Sequence, residues 1–542
     1  MRIGIIYDGV ALRHWQLEAI RQIQAKHELY LMVAHGERAP RRKLPRHAAY
    51  YAMNVVSMRS GMTKRLPFPA QEFAISGRVD FTVQYDGAWA SLPEEAVAFA
   101  GEHELDAILK FSLNLLRIPS EDCLATPILS YHHGDPREYR GRPAGFYETV
   151  DNRQYVGQIV QILCNRLDAG EILATGQTPV LPWSYRKTLA GAYRLSPFLL
   201  PKALDALERG SRVQWSPEGK NYRLPSNGLV ARFAANRAIE TAKRGLYGAF
   251  KEKRWQVSIA DLHGSDIATI ASDPSLLENY RANWETIPIP DGYTFLADPF
   301  FTNDGSILVE ALSAKTGIGH LLGLPRGATA QGEGGSGPTR LYPDAKGHLS
   351  FPSTFIYDDR EWILPESAHW SPVHIRQLSQ LQVGTRHDID IDSQHLLDPI
   401  MFERDGHWYL FANRADEGPD ILRLWCADTP FARFVEHPQS PVRATIRGSR
   451  MGGAIVREQS RIFRIGQDRK AAYGDGICIF EILELTPKAY AERDFAQLSF
   501  EKCSGPHTLN VHGSRIVFDW YENRVSPLAG IRRLAAKLQS RR

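Results

Sequence analysis

The chain has 542 residues, 43% hydrophobic, 10% aromatic and 23% charged, with a formal net charge of +4. That length exceeds one ordinary core and predicts two or three domains of soluble globular composition. The near-neutral balance argues against a dedicated nucleic-acid binder, and five scattered cysteines without a C-x-x-C pair argue against structural zinc and a disulfide framework.

Arg2–Tyr7 reads as a short apolar strand, without the longer apolar region and cleavage site of a signal peptide. No stretch approaches the roughly 20 apolar residues of a membrane span. The expectation is a cytoplasmic protein. Trp15–Ala25 is an amphipathic helix, Leu29–Val33 a strand, Pro93–Glu104 a helix, and Ala107–Phe111 and Pro127–Tyr131 further strands. This alternation predicts an α/β domain over residues 1–183, with a parallel, doubly wound sheet and ligands at the carboxyl ends of its strands. Arg38–Arg46 is a basic, proline-containing loop, read as solvated surface. Helical stretches at Pro201–Glu208 and Ala234–Lys253 make residues 184–254 a helical connector.

From Trp255 onward, short β-rich runs alternate with turns such as Asp304-Gly305, Asp358-Asp359 and Asp405-Gly406. Five segments share one grammar: a small or proline-containing start, an apolar strand, a polar turn and a second apolar strand. Their anchors Pro299, Pro352, Pro399, Gly453 and Pro506 lie 53, 47, 54 and 53 residues apart. That spacing suits a four-stranded propeller blade and predicts a five-bladed β-propeller over residues 255–525. A β-sandwich with accidental spacing is the alternative.

The segment richest in chemistry runs Ser130-Tyr131-His132-His133-Gly134-Asp135-Pro136-Arg137-Glu138-Tyr139-Arg140-Gly141, followed by Leu167-Asp168-Ala169-Gly170-Glu171-Ile172-Leu173. It resembles the active-site signature of 10-formyltetrahydrofolate-dependent formyltransferases: an Asn-x-His motif, a Tyr-Arg-Gly-like turn, then Asp-x-Gly-Asp/Glu-Ile-Leu. The resemblance implies a Rossmann-like fold, 10-formyltetrahydrofolate as formyl donor, and catalytic roles for His132, Asp168 and Ser130. Ser130 stands where that family has Asn, so a hydroxyl replaces an amide donor to the oxyanion; losing such a donor costs about 3–4 kcal/mol. His133 or a backbone amide is a candidate to compensate. Phe111, Asn114 and Leu115 fall where the family's folate pocket has apolar loop residues, and His133, Tyr139 and Arg140 are assigned to the substrate. The bland alternatives are a hydrogen-bonded histidine pair in a loop, an ordinary turn at Asp168, and a strand-to-loop core at Phe111–Leu116. No glycine-rich dinucleotide loop is present, so NAD is not favoured.

The C-terminal half carries Phe351-Pro352-Ser353, Leu364-Pro365-Glu366, Asp398-Pro399, Tyr409-Leu410-Phe411, Ser449-Arg450-Met451-Gly452-Gly453, Tyr473-Gly474 and His507-Thr508-Leu509-Asn510. These phrases resemble the propeller domain at the N-terminus of glucosamine inositolphosphorylceramide transferases and, more distantly, the propeller of arabinanase-like glycosidases. Asp298, Glu366 and Asp398 are expected to meet near the centre and bind sugar, with structural roles in blade turns as the alternative. No metal is expected. The basic amphipathic tail, residues 526–542, suits either an anionic membrane surface or a frayed solvated helix.

The combined expectation is an N-formyltransferase acting on an amino sugar of a nucleotide-linked, lipid-linked or cell-surface glycan, partnered by that glycan and not by nucleic acid. The alternatives are a non-catalytic carbohydrate-binding protein with a degenerate formyltransferase domain, and a propeller glycoside hydrolase.

Overall fold

Residues 1–36, 45–58, 61–87, 89–113, 115–120, 124–213, 215, 218–273, 284–327, 337–367, 370–470, 474–501 and 503–539 are described by a computed structural model. Asn114, Tyr473 and most of the basic loop Arg38–Arg46 lie outside the described residues. The chain is multidomain, dividing into two units, Met1–Ala242 and Lys243–Arg542.

Strand β1 (Arg2–Tyr7) buries Ile3, Ile5 and Ile6 completely, a run without polar alternation that needs cover on both faces. It is central in the first unit's sheet, with β2 (Glu28–His35), β3 (Ile75–Thr82), β4 (Ala107–Lys110), β5 (Ile128–His132), β6 (Tyr155–Ile162) and β7 (Glu171–Pro179). The order is β7-β6-β5-β4-β1-β2-β3. The sheet is mixed rather than wholly parallel. Strands β5 to β3 pair in parallel, while β6 and β7 form an antiparallel pair against β5.

Helix α1 (His14–Ile23) buries Trp15, Leu17, Ala19, Ile20 and Ile23 at helical spacing. Gln16 caps its start, accepting the Arg13 N–H at 2.7 Å, and donates to the Phe111 carbonyl at 3.1 Å. Helix α2 (Glu94–Glu102) packs Ala96, Phe99 and Ala100 against Tyr30, Phe81 and Ile108 of the sheet. Helices α3 (Tyr185–Leu195) and α4 (Leu199–Glu208) cover β6 and β7. Residues 184–254 are therefore not a separate connector, because their first half is part of the sheet's packing and the two units divide within them. The helix expected over Ala234–Lys253 is α5 (Asn227–Phe250); Lys251 to Lys253 instead open a strand, paired with Val525 to Asn523.

Among the described residues the second unit holds five antiparallel sheets. Four begin with β9 (Tyr293–Phe301), β10 (Ser350–Tyr357), β11 (Leu396–Arg404) and β12 (Arg447–Met451). The fifth joins β8 (Lys251–Asp261) to β13 (Leu509–His512) and β14 (Arg515–Val525). Its pairing of β8 with β14 runs over the full length of both strands, from Lys251↔Val525 to Asp261↔Arg515. The first strands are neighbours in cyclic order: β9 packs on β10, β10 on β11, β11 on β12, and β13 on β9. Leu509 N–H closes the ring by donating to the Gly452 carbonyl at 2.8 Å.

The repeat has a physical cause. Strand pairing shifts register at the X-Pro step in β9, β10 and β11, where Asp298, Phe351 and Asp398 adopt φ of 48°, 47° and 45°. A bulge at each equivalent position re-aims the side chain that precedes the proline.

Candidate functional site

The sequence brings chemistry to the carboxyl ends of β4 and β5. His132 is the last residue of β5, 8% exposed, and its Nδ1 lies 3.4 Å from Asp168 Oδ2. Asp168 comes from the turn between β6 and β7, at φ 43°, and its Oδ2 also accepts the Gly141 N–H at 2.7 Å. Arg140 donates to the Leu167 carbonyl through Nε at 3.0 Å and Nη2 at 2.7 Å, fixing the residue before the aspartate. The other edge of the His132 ring, Nε2, faces the Tyr139 carbonyl at 3.0 Å. Both ring nitrogens thus face oxygen atoms, which fixes the plane of the ring.

Two glycines make the approach possible. A Cβ on Gly134 would sit 2.7 Å from His132 Nε2 and 2.9 Å from the Tyr139 oxygen. One on Gly170 would sit 1.7 Å from the Ile162 carbonyl oxygen, so only glycine closes the Asp168 turn against β6.

A cavity of about 180 Å³ opens beside these strand ends, lined by Arg13, Trp15, Gln16, Lys110, Phe111, Ser130, Tyr131, His133 and Tyr193. His132 and Asp168 are not in that lining. Ser130 is, although its hydroxyl makes only a long 3.5 Å contact with the Tyr131 carbonyl. Burial, with His132 and Arg13 nearby, pushes His133 down to about 3, so its ring is neutral; its Nε2 lies 2.8 Å from Ser196 Oγ. Burial also lowers Lys110 to about 8 against the opposing pull of Asp168, and its Nζ donates to the Leu113 carbonyl at 3.0 Å. Trp15 Nε1 and the Tyr131 hydroxyl have no partner among the described residues.

Lys110 belongs to neither sequence motif. Its signal is a lysine closing the apolar run Ala107-Ile108-Leu109, where a charged head is carried to the end of a buried strand.

Of the residues assigned to a folate pocket, Phe111 lines the cavity and packs edge-on to Trp15, whereas Leu115 pairs with Trp89 and takes no part in the lining. Asn114 is outside the described residues. Tyr139 and Arg140 serve the scaffold rather than the cavity: the Tyr139 hydroxyl donates to Asp151 Oδ2 at 2.9 Å and accepts from Arg153 Nε at 3.0 Å.

In the second unit the three expected carboxylates divide between two neighbouring clusters. Glu366 and Asp398 share Arg450, which grips Asp398 through Nε at 2.5 Å and Nη2 at 2.9 Å and reaches Glu366 at 3.4 Å. Gln467 Nε2 donates to Asp398 at 2.7 Å, and the Asp398 N–H to Glu366 at 2.9 Å. Burial, reinforced by the Asp398 charge and opposed by Arg450, raises Glu366 to about 8. Asp298 instead meets His507, Thr508 and Asp519, the first two at 3.2 and 2.8 Å. Burial pushes Asp298 upward, but His507 and Thr508 hold it below its ordinary value. Glu310, buried beside Asp298 and Glu366, is pushed well up by burial first and by both charges second.

Asp298, His507 and Asp519 offer three ligand atoms within 4.8 Å of one another. The Asp519 oxygens already accept the backbone N–H groups of Asp298, His507 and Thr508, at 3.0, 2.9 and 2.7 Å. That pattern is a latch between β9 and the closing sheet.

Residues 289–515 match the family described as glucosamine inositolphosphorylceramide transferase 1, N-terminal. The glucosamine inositolphosphorylceramide transferase 1 of Oryza sativa subsp. japonica is 27% identical over 219 residues, 38% of this chain and 29% of the relative. The chain thus aligns with less than a third of that relative's length. An N-formyltransferase from Helicobacter canadensis, solved with folinic acid and dTDP-3-aminofucose, is 12% identical at a TM-score of 0.27, over 41% of this chain and 70% of its own. A GH43_1 enzyme from Xanthomonas citri, solved with xylotriose, is 11% identical at a TM-score of 0.29, over 39% of this chain and 78% of its own. The likeness read from the sequence to the N-terminal part of glucosamine inositolphosphorylceramide transferases is borne out over the matched segment.

Proposed function

We propose that the first unit is a Rossmann-like N-formyltransferase that moves a formyl group from 10-formyltetrahydrofolate to the amine of an amino sugar, and that the second is a five-bladed β-propeller that binds the glycan carrying it. The observation that carries the reading is the meeting of His132 and Asp168, distant in sequence, at the end of a parallel strand. The sugar acceptor follows from the second unit's likeness to a sugar-transferase domain, an argument by association.

When bound, 10-formyltetrahydrofolate supplies the formyl carbon. The aromatic walls and partnerless donors of the cavity suit one ring of such a donor, and about 180 Å³ is too small for the whole of it. His132, held between Asp168 and the Tyr139 carbonyl, would turn its Nε2 from that carbonyl to the oxyanion that forms as the amine attacks. Asp168 orients that ring, and takes up the amine proton on its way to the departing nitrogen.

Incubating the protein with 10-formyltetrahydrofolate and a panel of nucleotide-linked amino sugars tests the reading. Formation of tetrahydrofolate and an N-formyl sugar in equal amounts is expected. Tight sugar binding without turnover would favour the carbohydrate-binding alternative. The glycosidase alternative has one observation in its favour: Glu366, held protonated to about 8, lies beside an Asp398 neutralised by Arg450. Release of reducing sugar from a glycan, lost in Glu366→Gln, would establish it.

A further inference from the structure

Helix α6 (Ala529–Gln539) packs on the second unit with its apolar side outward. Ala529 is buried, and a Cβ on Gly530 would lie 3.2 Å from Ala249 Cα. Arg533 donates to the Gly248 carbonyl at 2.5 Å and to the Lys251 carbonyl at 2.6 Å. The packed face is therefore small and polar. The Arg532 N–H donates to the Leu528 carbonyl at 3.0 Å, which brings Leu528 into the first turn. Helical rotation then sets Leu528, Ile531 and Leu534 on the side opposite Ala529, Gly530 and Arg533. An amphipathic helix ordinarily buries its apolar stripe, and this one presents it to solvent.

Leu246 and Phe250, one turn apart at the end of α5, and Val525, the last residue of β14, join these three, and all six side chains are between 50% and 68% exposed. The backbone ties their segments together: the Ser526 N–H donates to the Phe250 carbonyl at 2.8 Å, and Lys251 pairs with Val525. Among the described residues sixteen large hydrophobic side chains are exposed, and six of them fall here, a cluster rather than ordinary scatter. Positive charge gathers at the same end. Residues 243–254 and 522–534 hold eight Lys or Arg against two acidic residues, a net charge of +6 in a chain whose total is +4. Lys243, Arg244, Lys251, Arg254 and Arg524 are exposed, and Glu252, one of the two acids, is paired with Arg532 at 3.0 Å. The sequence that follows adds Lys537, Arg541 and Arg542 and no acid.

From this juxtaposition of outward apolar side chains and concentrated positive charge we infer that this end of the second unit docks on an anionic lipid bilayer. Helix α6 lies in the plane of the surface, with Leu528, Ile531 and Leu534 entering the boundary between headgroups and acyl chains and the surrounding cations meeting lipid phosphates. Apolar burial and attraction to anionic lipid act together in such a contact. Positive charge alone would also suit nucleic acid, but tracking phosphates requires no row of projecting aliphatic side chains. A second copy would bring the same cations face to face, which like charge opposes. Among the described residues no helix is long and apolar enough to cross a membrane, so the contact is peripheral. It is independent of formyl transfer, and stands or falls whatever the first unit does.

The full chain is sedimented with vesicles of phosphatidylcholine alone and of phosphatidylcholine with about one-third phosphatidylglycerol. Retention by the anionic vesicles and not by the neutral ones is expected, falling as salt shortens the Debye length from about 10 Å to about 3 Å. Ile531→Ser combined with Leu534→Ser should weaken binding roughly tenfold or more. Lys251→Gln combined with Arg524→Gln should weaken it roughly tenfold. All four positions are exposed, and each double variant should keep its thermal transition. Hydrogen exchange on the unaltered chain reads the same surface without a variant: anionic vesicles should slow exchange over residues 243–250 and 526–534. No retention by anionic vesicles would overturn the inference, and so would unchanged retention of Ile531→Ser/Leu534→Ser, which would leave a contact of charge alone. Capture by duplex DNA where vesicles fail would reassign the patch to nucleic acid. A dimer broken by the serine variant, without vesicle binding, would reassign it to a second copy.

Discussion

Asp168 Oδ2 stands 3.4 Å from His132 Nδ1 while accepting the Gly141 N–H at 2.7 Å. One carboxylate oxygen thus orients the ring and pins the turn that follows β5.

Asp168→Asn separates those duties. The amide oxygen still accepts from Gly141, so the fold is expected to survive, but the carboxylate that takes up the amine proton in the proposed mechanism is gone. Formyl transfer should fall roughly 10²- to 10⁴-fold, the usual worth of a positioned proton-transfer group. The checks are turnover of 10-formyltetrahydrofolate and an unchanged thermal transition.

Gly170→Ala tests the turn itself. Its Cβ would meet the Ile162 carbonyl oxygen at 1.7 Å, an overlap with backbone that no side-chain rotation relieves. A loss of about 1–3 kcal/mol or more is expected, read from the urea midpoint of the first unit.

Arg450→Met should destabilise the second unit by about 3–5 kcal/mol, because it strips Asp398 and Glu366 of their shared cation without removing the buried acids. The urea midpoint of the second unit measures it. The double variant with Asp398→Asn should recover part of the loss.

Glu366 gives that unit a pH dependence. Burial, with Asp398, raises the folded carboxyl to about 8, above its ordinary 4.5. The folded state therefore keeps a proton that the unfolded chain releases, so this contribution is full below about 4.5 and is lost as pH rises towards 8. Stability should decline over that window by at most about 1.4 kcal/mol per pH unit. Glu366→Gln, which retains an oxygen for the Asp398 N–H, should flatten the decline in thermal melts from pH 5 to 8.

Much of this was legible from residues alone where the chemistry is contiguous. Ser130 to Gly141 and Leu167 to Leu173 each occupy a few positions with distinctive side chains, and His132 and Asp168 do converge. The anchors Pro299, Pro352 and Pro399 mark a repeated bulge, visible as spacing because each sheet spends a similar length of chain. Lys110 was hidden because its place in the cavity lining depends on strand register, which no local pattern encodes. Arg450 and His507 stand in distinctive phrases, but their partners Asp398 and Asp298 come from other sheets. Lys251 to Lys253 looked helical by propensity, but pairing along all of β14 outweighs a preference of a few tenths of a kcal/mol per residue.

The strand Lys251–Asp261 has its partner at Arg515–Val525. On the ribosome it emerges early and must wait, edge bare, while four sheets are made. Until the last strand arrives, that edge is a template for any neighbouring nascent chain. A message broken after Leu498 would therefore yield a sticky product rather than a shorter ring, prone to borrow its closing strand from another copy.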